Sequence, residues 1–292
     1  MTDNLRGSLF MVGSMAGFAM EDAFLKAASA RMPLGEVLVV MGLVGVAVFA
    51  LLALRAGDVP LPRSVLTRTM ALRSAFEVAG RLFYALAIAL TPLATASAIL
   101  QATPLVVVLG AAVLFRERVS LTSWLLIAAG FGGVLIILRP GLDGVSALSV
   151  LALIGMLGFA GRDLATRAAP PALKNHQLGV LGFIMLGLSG AIIVAVTGGA
   201  VWPTVTSLGL TLAGSVFGIT GYAALTVAMR TGAVAAVTPF RYTRLLFAMV
   251  LGVVAFGERP DAATLLGSAI IVGCGVVILN NSRRPVQRPG PR

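Results

Sequence analysis

The chain is 292 residues long, 58% hydrophobic and only 11% charged, with a mean hydropathy of +1.00. A soluble domain is nearer half apolar and a quarter charged, so a water-exposed globular fold is excluded and lipid is the natural solvent. The net charge of +11 would suit nucleic acid, but the basic residues are scattered through loops between lipid-length segments, which excludes that partner. Cys274 is the only cysteine and lies in an apolar run, so no intrachain disulfide can form. His176 is the only histidine. No His/Cys metal cluster or His-based triad can be assembled, and neither metal nor cofactor is expected.

A helix needs about 20 residues to cross about 30 Å of hydrocarbon. Ten stretches meet that need, at 7–28, 35–55, 67–90, 93–115, 121–139, 145–167, 177–198, 203–229, 233–256 and 262–280. An all-α membrane protein of ten transmembrane helices is therefore predicted. The first stretch lacks a short signal-like core with a convincing cleavage site and is expected to remain as a span. Pro60, Pro62, Pro92, Pro140, Pro170, Pro171, Pro203 and Pro260 fall at or near the breaks, where a missing N–H costs least. The Arg/Pro-rich tail, 281–292, is expected to be a disordered basic segment. The short loops leave no room for a soluble domain, and there is no P-loop.

Ionisable groups at membrane depth are costly, so each is a functional candidate. In the first span, Glu21 and Asp22 lie towards the far end, as gating or structural charges. Asp22 is expected to pair with Lys26 one turn on, while Ser14 and Phe18 continue the same face inward. The third span carries Arg73, Glu77 and Arg81 at i, i+4 and i+8, with Tyr84 near that face. This stripe reads either as a lock between helices or as a cavity wall. Gln101 on the fourth span is a polar group at depth, suited to a substrate contact or to inter-helix bonding. The sixth span brings Arg162 and Asp163, with Asp163 expected to pair with Arg167 or to serve in a gate. Its Gly155, Gly158 and Gly161, like Gly214, Gly218 and Gly221 before Tyr222 on the eighth, suit close helix packing. On the ninth span, Arg241, Tyr242 and Arg244 have no acid nearby on their own helix before Glu258. Their partners are expected to be Glu77, Asp163 or a substrate carboxylate, which the guanidinium fork fits. Trp124 and Trp202, near span ends, read as interface anchors.

The two halves repeat. Phe115-Arg116-Glu117-Arg118 and Phe256-Gly257-Glu258-Arg259 stand 141 residues apart, each between two apolar runs. After them Leu125 aligns with Leu266, Ala128 with Ala269, Gly132 with Gly273 and Ile137 with Ile278. Placing both termini in the cytoplasm puts thirteen basic residues inside and four outside, the bias expected of that orientation. Five spans separate the two Glu-Arg turns, so Glu117 faces inside and Glu258 outside. The expected organisation is a first five-helix repeat, 1–140, and a second, inverted one, 141–280, ahead of the tail.

Ten spans in two inverted halves, each with a Glu-containing turn after its fourth span, resemble the drug/metabolite transporter superfamily. The nearest subset is the bacterial ten-helix amino-acid and metabolite exporters, including the aromatic amino-acid exporter type. Pro104, thirteen residues before Glu117, fits the family pattern; the matching place in the second half is Leu245, with Pro239 six residues earlier. The resemblance covers about residues 7–280 and implies a central cavity lined from both halves, alternating access and an inner-membrane location. The expected function is export of amino acids, aromatic or broad in range, or of related small metabolites. The cavity residues would be Phe18, Glu77, Arg81, Tyr84, Gln101, Tyr222, Arg241, Tyr242 and Arg244. Efflux of lipophilic cations is the rival within transport, using Glu77 or Glu21 with aromatic faces. A membrane-embedded enzyme would need a nucleophile, base or metal at depth that the chain lacks. The buried charges argue against a mere scaffold. The partners expected are a small-molecule substrate and the bilayer; oligomeric state is left open, a monomer being sufficient.

Overall fold

The computed structural model of the chain describes residues 3–114, 121–138, 147–167, 173–198, 201–231 and 238–281. Every regular element among them is helical. In chain order these are α1 (Asp3–Ser29), α2 (Leu34–Arg55), α3 (Arg68–Leu90), α4 (Leu93–Leu100), α5 (Thr103–Leu114) and α6 (Leu121–Leu138). There follow α7 (Ala147–Arg167), α8 (Asn175–Thr197), α9 (Val205–Thr231), α10 (Thr243–Phe256) and α11 (Ala262–Asn281). The turn holding Glu117, the loop at Pro140, the Pro170-Pro171 pair and the tail beyond 281 lie outside the described residues.

Among the described residues six helical stretches are long and apolar enough to cross a membrane: Asp3–Ser29, Leu34–Arg55, Leu93–Leu114, Leu148–Thr166, Asn175–Thr197 and Val205–Ala228. Trp124–Ile137 and Ala262–Val277 are shorter apolar helices. The polarity of the molecule is that of a membrane protein. Leu43, Val113, Val196 and Val254 stand exposed on the outside, while Glu21, Asp22, Arg73 and Glu77 are buried. Trp202 is 97% exposed at a helix end, as an interface anchor requires.

Two expected spans depart from a single helix. The fourth is broken into α4 and α5 around Gln101 and Ala102. Pro104 has no N–H to offer Leu100, four residues back. The Leu100 carbonyl instead accepts the Thr103 hydroxyl at 2.5 Å. The ninth span opens as a 3-10 turn, Thr238–Tyr242, before α10. There the Thr243 hydroxyl donates to the Phe240 carbonyl at 2.7 Å. Gln101 and Tyr242, at the two breaks, are again 141 residues apart.

Packing follows small residues. α3 lies on α7 with Phe76, Gly80 and Tyr84 against Gly161, Gly158 and Gly155 in turn. Numbers rise on one helix and fall on the other, so the pair is antiparallel. α1 lies on α9 in the same way, Gly17 meeting Gly221 and Phe24 stacking on Phe217 at 5.5 Å. The glycine crossings Gly17–Gly221 and Gly158–Gly80 differ by 141 residues in both members. α2 packs on α8, and α6 on α11, where Gly133 meets Gly267. α4 packs on α10.

Candidate functional site

The charged residues expected at depth converge. Glu77, 2% exposed, is the hub. Its carboxylate lies 2.9 Å from Arg73 Nη1, 3.5 Å from Arg162 Nη1 and 4.0 Å from Arg81 Nε. Arg73 also donates from Nε to the Thr166 hydroxyl at 2.9 Å. Arg81 reaches on to Glu21 Oε1 at 3.8 Å, so α3 bridges α7 and α1. Arg162 holds Asp163 at 2.8 Å, a bond between sequence neighbours. The i+4 pairing expected for Asp163 involves the Arg167 side chain, which lies outside the described residues.

A second centre forms around Asp22. Arg244 Nη2 lies 2.6 Å and Nε 3.3 Å from Asp22 Oδ2, and the Tyr84 hydroxyl donates to the same oxygen at 3.3 Å. Tyr84 also touches the Ser97 hydroxyl at 3.4 Å. The expected Asp22–Lys26 pair is corrected: Asp22 takes an arginine from α10, and Lys26 turns to Glu258 at 3.3 Å. A one-turn lysine offers a point charge, whereas the guanidinium gives two donors to one oxygen.

Planar groups join the centres. Arg244 stacks over Phe18 at 5.4 Å and Tyr84 at 5.7 Å. Tyr84 meets Phe159 edge-on at 5.8 Å, and Arg162 and Arg81 lie over Phe159 at 4.9 Å and 5.9 Å. Tyr222 packs against Phe49, at 5.2 Å, within electrostatic reach of Glu77 and Arg162. In total, four arginines (Arg73, Arg81, Arg162, Arg244) face four carboxylates (Glu21, Asp22, Glu77, Asp163), and their charges cancel. Such pairs stabilise little once desolvation is counted, and apolar replacements of the same shape often do as well. Their presence at membrane depth therefore points to function.

The broken spans meet beside this network. The Gln101 amide donates to the Arg241 carbonyl at 3.2 Å, one break satisfying the other. Among the described residues no carboxylate lies within 4.0 Å of the Arg241 guanidinium. Tyr242 is buried against Gly275 of α11, a wall of the packing more than a polar contact. On the face where α8 begins, Asp58 is held between Lys174 at 2.7 Å and His176 at 2.9 Å. The Lys174 hydrogen bond holds the Asp58 carboxyl below the usual carboxylate range.

Three features were missed in the sequence. Arg162 serves Glu77, Phe159 is shared by two arginines, and Glu21 lies against Gly218. The 141-residue offset holds a signal for them. It aligns Met15, Gly17, Phe18, Ala19 and Asp22 with Met156, Gly158, Phe159, Ala160 and Asp163. It also sets Glu77 opposite Gly218 and Arg81 opposite Tyr222, so the charge stripe of α3 becomes glycine and tyrosine on α9.

Known proteins are similar to this chain. Residues 5–139 match the EamA-like transporter family. A riboflavin transporter of Rhizobium johnstonii is 28% identical over 69% of this chain and 67% of its own length. The pseudopaline exporter CntI of Pseudomonas aeruginosa is 28% identical over 91% of this chain and 93% of its own. An S-adenosylmethionine uptake transporter of Rickettsia bellii is 23% identical over 70% and 69%. A solved crystal structure superposes over 95% of this chain and 99% of that one with a TM-score of 0.63 and 21% identity, which shows the fold. The chain is an all-helical membrane protein whose first half matches the EamA-like transporter family and whose relatives named here are metabolite transporters.

Proposed function

We propose that the chain exports small zwitterionic metabolites, amino acids first among them, across the bacterial inner membrane. The mechanism is alternating access between two inverted five-span halves, 1–140 and 141–280. Support for the halves comes from the pairing of elements. Exchanging each span for the one five places on turns the α1–α9 packing into α7–α3 and leaves α2–α8, α6–α11 and α4–α10 as their own images. Each of these pairs joins an odd-numbered span to an even-numbered one, the relation antiparallel neighbours require.

The observation that carries the cargo class is the charge balance beside Arg241. A site with four arginines and four carboxylates has no net attraction for a simple ion. It offers both signs to a molecule carrying an ammonium and a carboxylate. A lipophilic cation would want a carboxylate of its own, yet each of these four has an arginine within 4.0 Å. Arg241, beside Gln101 at the junction of the broken spans, is the guanidinium left for a carboxylate.

Counterflow in proteoliposomes tests this, with a panel of aromatic and aliphatic amino acids plus riboflavin and S-adenosylmethionine, the cargoes in the relatives' names. Amino acids are expected to exchange. Arg241→Ala should weaken binding by about 1.5–3 kcal/mol while the protein still accumulates, and lysine should restore only part of it. Exchange of a lipophilic cation alone, with no amino acid accepted, would overturn the reading.

A further inference from the structure

At one face of the molecule a single ion pair gathers four chain segments. Lys26 stands in the last turn of α1. Its ammonium donates to the Thr91 carbonyl at 2.5 Å and the Ile88 carbonyl at 3.2 Å, at the C-terminal end of α3. The same nitrogen lies 3.3 Å from Glu258 Oε1 and 5.4 Å from the centre of the Phe256 ring. Glu258 is aimed by the turn that ends α10. Gly257, at φ +62°, reverses the chain, and the Glu258 N–H bonds back to the Gly252 carbonyl at 2.9 Å. The carboxylate lies so close over Gly252 that a Cβ there would fall 2.5 Å from Oε2.

Both carboxylate oxygens are committed. Oε1 accepts the Leu93 N–H at 2.7 Å and Oε2 the Ala94 N–H at 3.2 Å. These are the first free N–H groups of α4, whose flanking Pro92 brings no capping side chain. Glu258 thus does from 165 residues away what a local Asp or Ser does for most helices. The pattern follows the helix dipoles: a cation at the end of α3 and an anion at the start of α4. One turn deeper on α4, Ser97 touches Tyr84, and Tyr84 touches Asp22. The network therefore lies directly behind the pair. On the other side a cavity of about 550 Å³ reaches Lys26, lined by Leu34, Leu86, Leu90, Ile193 and Phe256 among others.

We propose that Lys26 and Glu258 are the latch that closes the network from this face, Glu258 acting both as the counter-ion of Lys26 and as the N-cap of α4. Opening this mouth means parting the α10–α11 turn from α4, which uncouples both roles at once. The latch rests on the transport reading only in needing two accessible states, so it is tested without cargo.

The test is thiol labelling in vesicles of both orientations. Cys274→Ser removes the only native thiol and Ser97→Cys supplies a reporter behind the latch. A membrane-impermeant maleimide should label the introduced thiol slowly from the latch face. Lys26→Ala and Glu258→Gln should each speed that labelling about tenfold or more. The exchange Lys26→Glu with Glu258→Lys should stay fast, because the exchanged lysine side chain cannot accept the Leu93 and Ala94 N–H groups. Protection restored by the exchange would overturn the capping role. Should Glu258→Gln fail to accumulate, Lys26→Ala leaves the cap in place, and unchanged labelling in it would overturn the latch. A failed cargo panel would leave these rates untouched, and unchanged rates would leave the panel untouched.

Discussion

Glu77 meets three arginines within 4.0 Å while only 2% exposed. Removing its charge leaves Arg73, Arg81 and Arg162 sharing Glu21 and Asp163. Breaking a buried pair on one side costs about 3–5 kcal/mol, so Glu77→Gln should lower the thermal midpoint in detergent sharply. Asp163→Asn should cost less, because its side chain is 25% exposed and water can replace it. Equal losses would mean that Glu77 is not the hub. At the polar face, Asp58 gives a prediction that depends on pH. Its carboxyl is held below the usual range by Lys174, so the contribution is present above the ordinary carboxylate value and fades as pH falls through the lowered one. The gap in thermal midpoint between the parent and Asp58→Asn should narrow from about pH 5 to pH 3; a constant gap would show that ionised Asp58 contributes nothing. Which residues bear charge at depth was legible in the sequence, because apolar surroundings make them conspicuous. Which partner each takes was not. Asp22 and Arg244 are 222 residues apart, and only the fold chooses between that arginine and the lysine one turn away.

Among elements, glycine crossings set how closely helices approach. A Cβ on Gly158 would strike the Gly80 backbone, and one on Gly42 would fall 2.6 Å from the Gly187 Cα, whereas one on Gly13 meets nothing within 4 Å. Backbone cannot step aside as a side chain can, and overpacking of this kind costs about 1–3 kcal/mol. Gly158→Ala and Gly42→Ala should reduce folded yield in a size-exclusion assay, with Gly13→Ala behaving as the parent. If Gly158→Ala were neutral, the α3–α7 crossing would be looser than described. The span positions were legible from the lengths of apolar runs, and the Gly155, Gly158 and Gly161 stripe from its spacing. The break in the fourth span was not, although its cause is local. Pro104 removes one N–H, and whether a helix kinks or parts there depends on Thr103 taking the freed carbonyl and on Gln101 finding Arg241 across the bundle.

For the whole molecule, the strongest consequence of the proposed five-span repeat is its odd number of spans. A repeat of five must invert, because each passage reverses the direction of the chain. The antiparallel pairs α1–α9 and α3–α7 agree with a strict alternation of spans. The proposed orientation rests on charge, which would put thirteen basic residues on the cytoplasmic face and four on the other. Arginine and lysine resist translocation, so this asymmetry should hold the N-terminus and Arg292 inside. The loop at Gly141–Gly144, after five passages, should then lie outside. Lys26 and Glu258 should share that outer side, with Asp58 and Lys174 opposite. Alkaline phosphatase, active only when exported, should be silent fused after Arg292 and active when inserted at Gly141–Gly144, and a cytoplasmic fluorescent reporter should give the reverse. The same compartment for both would mean an even number of passages between them. The halves could not then be inverted copies, and the latch could not stand on the outer face.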